Sequence, residues 1–172
     1  MIFGNPSDFA IEAESDAALN SPKSTAWGHM RIWCQGEPVG DFTQTHCGLS
    51  GAQQSIANLA AEIDTLWNEA LDGLGDQAIW DSLYSALYVD HGQADEQIAQ
   101  DADAWSKFIF LTNWGEMFDQ FNGFIFCRDS HKVRLLIQFQ NIAGAPVKTF
   151  EVSRLGFLEA AIGFEKWCKT QC

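Results

Sequence analysis

The spacing of the hydrophobic residues changes along this chain and later changes back, and this alternation constrains the fold most. Residues 8–14 alternate apolar and polar side chains, and residues 27–34 do so more weakly. A period of two is typical of strands that bury one face. Between residues 50 and 72, apolar side chains instead recur at helical spacing, which predicts an amphipathic helix. Its apolar side chains are Ile56, Leu59, Ala60, Ile63, Leu66, Trp67 and Ala70.

Residues that commonly begin helices occur twice in the middle of the chain. Ser50 and Gln53 fit a capping box at the start of the first helix, and glycines after residue 72 predict its end. Asp76 is predicted to cap a second helix. The apolar side of that helix would hold Ile79, Trp80, Leu83, Tyr84 and Leu87. Residues 90–104 are acidic and rich in alanine, which leaves open a loop or a third, exposed helix.

The strand pattern returns after Trp105. Residues 108–111 predict a short strand, and residues 124–127 and 133–140 predict a hairpin. A strand over 147–152 precedes a last helix that Ser153 is predicted to begin. That helix is predicted to end near Cys168 and to turn inward Leu155, Leu158, Ala161 and Ile162.

The order of these elements is strands, two helices, strands and one helix. Segregated strands and helices favour an α+β fold over alternating units with a parallel sheet. We therefore expect a mostly antiparallel sheet with two central helices and a C-terminal helix packed on it. A length of 172 residues predicts one domain over 1–172.

Charge is unevenly distributed along the chain. The net charge is −13, and the interval between Arg31 and Lys107 holds thirteen Asp and Glu residues but no Lys or Arg. Nucleic-acid binding is disfavoured because phosphate contact requires clustered bases. An acidic surface favours a basic protein partner, because opposite charges accelerate encounter. The plainer interpretation is a surface that only keeps the protein soluble.

The segment "LTNWGEMFDQF", residues 111–121, holds the strongest candidate for catalysis. Asn113, Glu116 and Asp119 recur every three residues, and the two carboxylates could act as acid and base in a small hydrolase. The competing interpretation is a structural turn in which Trp114 and Phe118 are buried. The pairs Asp90-His91 and His46-Cys47 supply two ligands each, fewer than a metal site needs, so no metal and no cofactor are predicted.

The remaining composition points to an intracellular protein. The first residues hold no basic stretch and no long apolar stretch, so no signal peptide is predicted. No run approaches the roughly 20 apolar residues of a membrane span, so membrane association is not expected. The cysteines are odd in number and scattered, which predicts free thiols in the cytoplasm. They are Cys34, Cys47, Cys127, Cys168 and Cys172.

Three stretches of the chain carry a family resemblance. They are "MIFGNPSDFAIEAE" at the start, "FLTNWGEMFDQFNGFIFCRDSHKVRLLIQF" and "EVSRLGFLEAAIGFEKW". Together they resemble the immunity protein 42 family of bacterial polymorphic toxin systems. The resemblance implies a small cytoplasmic protein that binds a cognate toxin domain stoichiometrically and has no enzymatic activity. The positions that match the most distinctive motif of the family are Asn113, Trp114, Gly115, Glu116 and Asp119.

The acidic middle of the chain is the predicted partner-binding surface. A toxin that is a nuclease would be basic, because it must hold phosphate. We expect acids outside the apolar stripe of the first predicted helix, and those that follow it, to steer such a toxin. An aromatic side chain at the edge of this acidic surface would anchor it. The residues of this predicted surface are Glu62, Glu69, Asp90, Asp95, Glu96, Asp101, Asp103 and Trp105.

Overall fold

The described strands form two antiparallel sheets. The computed structural model describes residues 1–16, 18–19, 25–43, 47–111, 114–140 and 145–171. Sheet A contains β1 (Ile2–Gly4), β2 (Phe9–Ser15), β3 (Trp27–Cys34), β4 (Glu37–Val39) and β5 (Cys47–Gly48). Strands β1 to β4 are neighbours in chain order, and β5 pairs with β3. Sheet B contains, in chain order, β6 (Ile109–Leu111), β7 (Phe121–Phe126), β8 (Lys132–Phe139) and β9 (Lys148–Ser153).

Four α-helices lie in the described residues: α1 (Leu49–Ala61), α2 (Asp76–Tyr88), α3 (Asp95–Trp105) and α4 (Arg154–Cys168). The predicted α+β class with a C-terminal helix is confirmed. Of the two alternatives for residues 90–104, the structure contains the exposed helix, α3. No described helix is both long enough and apolar enough to cross a membrane.

One hydrophobic core joins both sheets and α4. The ring of Phe9 on β2 lies 5.0 Å from that of Phe157 on α4 and 6.4 Å from that of Phe110 on β6, measured between centroids. All three side chains are fully buried. Each buried aromatic removes a large apolar area from water and dominates core energetics. The N-terminal and C-terminal thirds of the chain therefore stabilise each other directly.

The first helix is shorter than its apolar stripe predicts. It ends at Ala61 instead of continuing to residue 72, and two 3₁₀ turns follow at Ile63–Thr65 and Glu69–Leu71. The carbonyl of Leu66 accepts a hydrogen bond from the amide of Cys127 at 2.7 Å. Asn68 is extended and its side chain accepts from the amide of Ala70, which begins a new turn. Together with the backbone hydrogen bonds of the 3₁₀ turns, such as that from Thr65 to Glu62 at 2.8 Å, these two bonds take the place of helical ones.

Both predicted helix caps in the middle of the chain are wrong. The N-cap of α1 is Gly48, and the Ser50 hydroxyl instead accepts a hydrogen bond from the Ala26 amide at 3.0 Å. The N-cap of α2 is Gly75, and Asp76 is the first helical residue. A carboxylate in the first turn still favours the helix dipole. Ser153, in contrast, caps α4 as predicted, because its side chain accepts from the Gly156 amide.

The inward face of α4 also differs from the prediction. Leu155 and Ile162 are 66% and 48% exposed. The buried face holds Phe157, Ala160, Ala161, Phe164 and Cys168. Two phenylalanines bury more apolar area than Leu155 and Ile162 would, so they set the rotation of the helix.

The turn between β3 and β4 lies earlier than the sequence predicts. Gly36, Glu37 and Pro38 predict a turn, followed by a short strand over 39–42. The structure instead has β4 at Glu37–Val39. Gln35 and Gly36 both have positive φ, 51° and 85°, as a two-residue hairpin turn of type I′ requires. Cys34 therefore pairs directly with Glu37.

Candidate partner-binding surface

The segment 111–121 joins the two sheets. Trp114 is buried, and its ring lies edge-on to those of Phe110 and Phe118 at 5.4 and 5.3 Å. The carbonyl of Met117 accepts a hydrogen bond from the amide of Asp41 at 3.0 Å, next to sheet A. Burial of Trp114 and Phe118 was predicted. Asn113 lies outside the described residues.

Gly115 allows this segment to approach β5 closely. Its φ is +107°, and a Cβ built on it would lie 2.5 Å from the Cβ of Cys47. Only glycine adopts that conformation readily and leaves space for the neighbouring cysteine. Burial raises the pKa of the Cys47 thiol to about 12, so the sulfur packs as a neutral group.

Glu116 and Asp119 line different hollows. Glu116 borders an open hollow of about 570 Å³ together with Trp27, Ser50 and Trp114. A second hollow of about 230 Å³ lies beside Asp119. The residues that line the second hollow are Tyr88, Leu111, Phe118, Asp119, Phe121, Asn122 and Gln140. A hydrolase needs both carboxylates at one bond, and this geometry gives that alternative no support.

The predicted partner-binding acids lie on four consecutive parts of the chain. Glu62 follows α1, Glu69 begins the second 3₁₀ turn, and Asp90 lies between α2 and α3. The other four acids, Asp95, Glu96, Asp101 and Asp103, lie on α3. Six of the seven are exposed and Asp101 is half-buried. The local structure therefore leaves their carboxylates close to solvent.

These seven acids differ in their pairing from three of the acids that lie between them. Asp64 pairs with Arg154 at 2.8 Å, Asp72 with Arg128 at 3.0 Å, and Asp76 with Arg134 at 3.1 Å. Within the described residues, none of the seven predicted binding acids forms an ion pair. The bases of sheet B and α4 therefore neutralise one part of the acidic interval and leave the other part charged.

The arginine of sheet A is also engaged within the fold. The Nε atom of Arg31 donates to Glu12 at 2.7 Å, and its guanidinium lies 4.6 Å from the centroid of the Trp33 ring. The hydrogen bond from Arg31 is the largest cause that lowers the pKa of Glu12. Glu12 therefore stays ionised in mild acid and keeps Arg31 in place.

Helix α3 has no buried residue. Isolated helices of this length are marginal in water. At its end, the half-buried Trp105 packs on the core, with its ring 6.1 Å from that of Phe108. Ile98 is 47% exposed in the middle of the helix. The helix thus presents acids and one large apolar side chain to solvent.

No group of three or more His, Cys, Asp or Glu in the described residues could hold a metal ion. Cys34, Cys47 and Cys127 are free and buried, and Cys168 is buried as well. Burial is also the main cause that raises the pKa of Cys34 and of Cys127. These thiols fill the core as small apolar side chains. Cys172 lies outside the described residues.

The sequence matches the immunity protein 42 family over residues 1–167. The chain belongs to that family. The prediction of an immunity protein is therefore confirmed, whereas nothing in the match supports a hydrolase. Among solved structures, this immunity protein is similar to one titled "Crystal structure of CdiI from Burkholderia dolosa AUO158". The sequences are 15% identical, the TM-score is 0.66, and the likeness covers 95% of this chain and 97% of the other.

The likeness to the solved structure extends over nearly all of both chains and shows that they share a fold. No curated protein matches the sequence. The family match covers the middle of the chain, 43–104, which the three resembling stretches did not include. The acidic interval of this immunity protein therefore lies within the part of the chain that matches the family.

Sequence patterns did not reveal the second hollow. Of its lining, Asp119 was singled out beforehand as part of the motif, and Phe118 as a buried side chain of the same segment. Tyr88, Asn122 and Gln140 come from α2, β7 and the end of β8, and no spacing relates them. Tertiary packing alone brings them together.

Proposed function

We propose that this immunity protein neutralises a basic toxin domain in the cytoplasm by stoichiometric binding, without chemistry of its own. The toxin would meet the acidic surface, which we define as Glu62, Glu69, Asp90, Asp95, Glu96, Asp101 and Asp103, with Trp105 at its edge. The observation that carries the proposal is the absence of ion pairs at these seven acids in the described structure. Unpaired carboxylates retain their full attraction for an incoming cation.

The exposure of α3 supports the same surface. A helix that buries none of its residues leaves both its acids and its apolar side chain available to a partner. Charges in such an interface mainly increase the association rate and select the partner, whereas a few buried anchors supply most of the affinity. We therefore assign steering to the acids of α3 and anchoring to apolar side chains beside them.

The test measures association with the toxin domain encoded next to the gene for this chain, at several salt concentrations. The variant replaces Asp95, Glu96, Asp101 and Asp103 together by Asn or Gln. We expect its association rate constant to fall. Its melting temperature should stay nearly unchanged, because α3 has no buried residue and weakening it leaves the core intact. For the unaltered protein, association should slow as salt shortens the Debye length below about 8 Å.

The matched control removes charge elsewhere on the surface. Glu14 and Glu159 are exposed and lie on β2 and α4. Replacing both with Gln should reduce the association rate less per charge removed than the α3 variant does. An association rate that depends on neither salt nor the α3 acids would contradict the proposal. The acidic surface would then only keep the protein soluble, and the toxin-binding site would lie on sheet B.

A further inference from the structure

The second hollow has the composition of a receptor for a cationic side chain. Its apolar floor is formed by Leu111 and Phe118, which are buried, and by the half-buried Phe121. Its polar groups are the Asp119 carboxylate, the Asn122 and Gln140 amides and the Tyr88 phenol. A carboxylate, amide oxygens and aromatic faces are the groups that bind a Lys ammonium or an Arg guanidinium.

Within the described residues, the polar side chains around this hollow are available to a ligand. In the described part of the chain, Asp119, Asn122, Gln140 and Tyr88 make no side-chain hydrogen bond and no ion pair. Partial burial raises the pKa of Tyr88, so its hydroxyl remains protonated at neutral pH. Several polar groups that converge without satisfying one another are the usual mark of a binding site.

The packing around the hollow holds its walls in place. Phe118 lies edge-on against Trp114 at 5.3 Å, and Gly40 leaves room for its ring on the other side. The Tyr88 ring lies 5.3 Å from that of Tyr84 and 6.4 Å from that of Phe124. Walls that are already ordered cost little conformational entropy when a ligand enters.

The size and position of the hollow indicate what it binds. Its volume of about 230 Å³ is below the roughly 300–1,000 Å³ of pockets that enclose a whole small molecule. Tyr88, at its rim, lies two residues before Asp90 of the acidic surface. One residue that lines the hollow is therefore close in sequence to the surface assigned to the toxin.

We propose that this hollow receives one Lys or Arg side chain of the toxin domain, with Asp119 as its counter-ion. The inference rests on the proposed function, because it takes the toxin as the source of the cation. The cation would sit between the Asp119 carboxylate and the aromatic faces, and its aliphatic stem would pack on Phe121. This interaction would be a further anchor of the complex, in addition to the apolar side chains beside α3, whereas the acids of α3 steer its formation.

The experiment compares dissociation of the toxin domain from the unaltered protein and from the variant Asp119→Asn. Breaking a charge pair that the bound toxin would bury acts mainly on dissociation, and we expect the dissociation rate constant to rise about 30-fold or more. The matched control is Glu116→Gln, which removes the same charge from the exposed carboxylate at the other hollow. The control should dissociate at the rate of the unaltered protein.

Substitutions of Tyr88 separate the ring from the hydroxyl. Tyr88→Ala should accelerate dissociation, whereas Tyr88→Phe, which keeps the aromatic face, should do so less. In double-mutant cycles, Asp119→Asn should couple to one Lys or Arg of the toxin domain and not to the others. That coupling identifies the inserted side chain.

The outcomes distinguish the two proposals. If the unaltered protein does not bind the toxin domain at all, the proposed function fails. If it binds and Asp119→Asn dissociates no faster than the control, the hollow is not an anchor and the proposed function stands. Circular dichroism and thermal melting check that each variant is folded. We expect Asp119→Asn to fold, because Asp119 is exposed and the amide has the same shape as the carboxylate.

Discussion

Gly115 is the residue at which backbone conformation and packing leave the least freedom. It combines a φ of +107° with a close approach to Cys47 of β5, and it precedes the turn that carries Met117 and Phe118. The buried Trp114 on one side and that turn on the other connect the two sheets. The close contact between this segment and sheet A therefore requires a residue without a side chain at position 115.

Replacing Gly115 with Ala should lower the free energy of unfolding by at least about 1–3 kcal/mol, the usual cost of a strained backbone conformation. Gly51→Ala is the matched control, because Gly51 lies within α1 and has open space around its Cα. That change should stabilise the protein by up to about 1 kcal/mol. Urea denaturation measures both effects, and a Gly115→Ala midpoint at or above the original would refute the assignment.

At the scale of elements, α3 differs from the other helices. It has no buried residue, whereas α4 buries five. Its first turn carries Asp95 and Glu96, which favour the helix dipole, and a Gln97 to Asp101 hydrogen bond of 3.0 Å adds local support. Local interactions and the Trp105 anchor therefore hold this helix.

Backbone amides of α3 should exchange with deuterium much faster than those of α4, because segments with few buried contacts open without global unfolding. Hydrogen exchange read by mass spectrometry at neutral pH measures this directly. Adding the toxin domain should slow exchange in α3 if α3 lies in the interface. Equal protection of α3 and α4 in the free protein would show that α3 opens only with the whole fold.

The local sequence predicted some helices and strands better than others. The hairpin of β7 and β8 was predicted because its alternation and its turn are local. Asp129 accepts hydrogen bonds from the amides of His131 and Lys132, both at 2.8 Å, as a turn aspartate commonly does. The end of α1 was not predictable, since it depends on a hydrogen bond between Leu66 and the distant Cys127.

The candidate site was predictable only in part, for the same physical reason. Charge composition is read directly from the sequence, so the acids of the acidic surface could be named in advance. Which acids would be paired depended on where Arg128, Arg134 and Arg154 lie in three dimensions. The second hollow depended on contacts among three separate elements and carried no local signal.

At the scale of the whole molecule, the ion pairs lie near the surface and the described cysteines lie in the core. The ion pairs of Asp64, Asp72 and Asp76 fasten the connection between α1 and α2 to sheet B and α4. Beneath this charged layer, four thiols lie in the core. At these four positions, reagents that react with thiolates therefore detect opening of the core.

Titration with a thiol reagent in denaturant without reductant should count five free cysteines. In the native protein, Cys34, Cys47, Cys127 and Cys168 should react only as fast as the core opens, because they are buried. Burial also raises the pKa of Cys34, Cys47 and Cys127. A denatured count of three or one would instead reveal a disulfide. The same assay in increasing urea reports global unfolding.

The packing of α4 on the first strands determines when a newly made chain can become active. Phe3 on β1 lies 5.9 Å from Phe164 and 5.5 Å from Trp167, and Phe9 on β2 packs on Phe157. Sheet A is translated well before the helix that covers its apolar face. A nascent chain therefore leaves the ribosome with that face exposed and depends on chaperones or on speed to avoid aggregation. The protein can bind a toxin as a folded inhibitor only after α4 has left the exit tunnel and packed on sheet A.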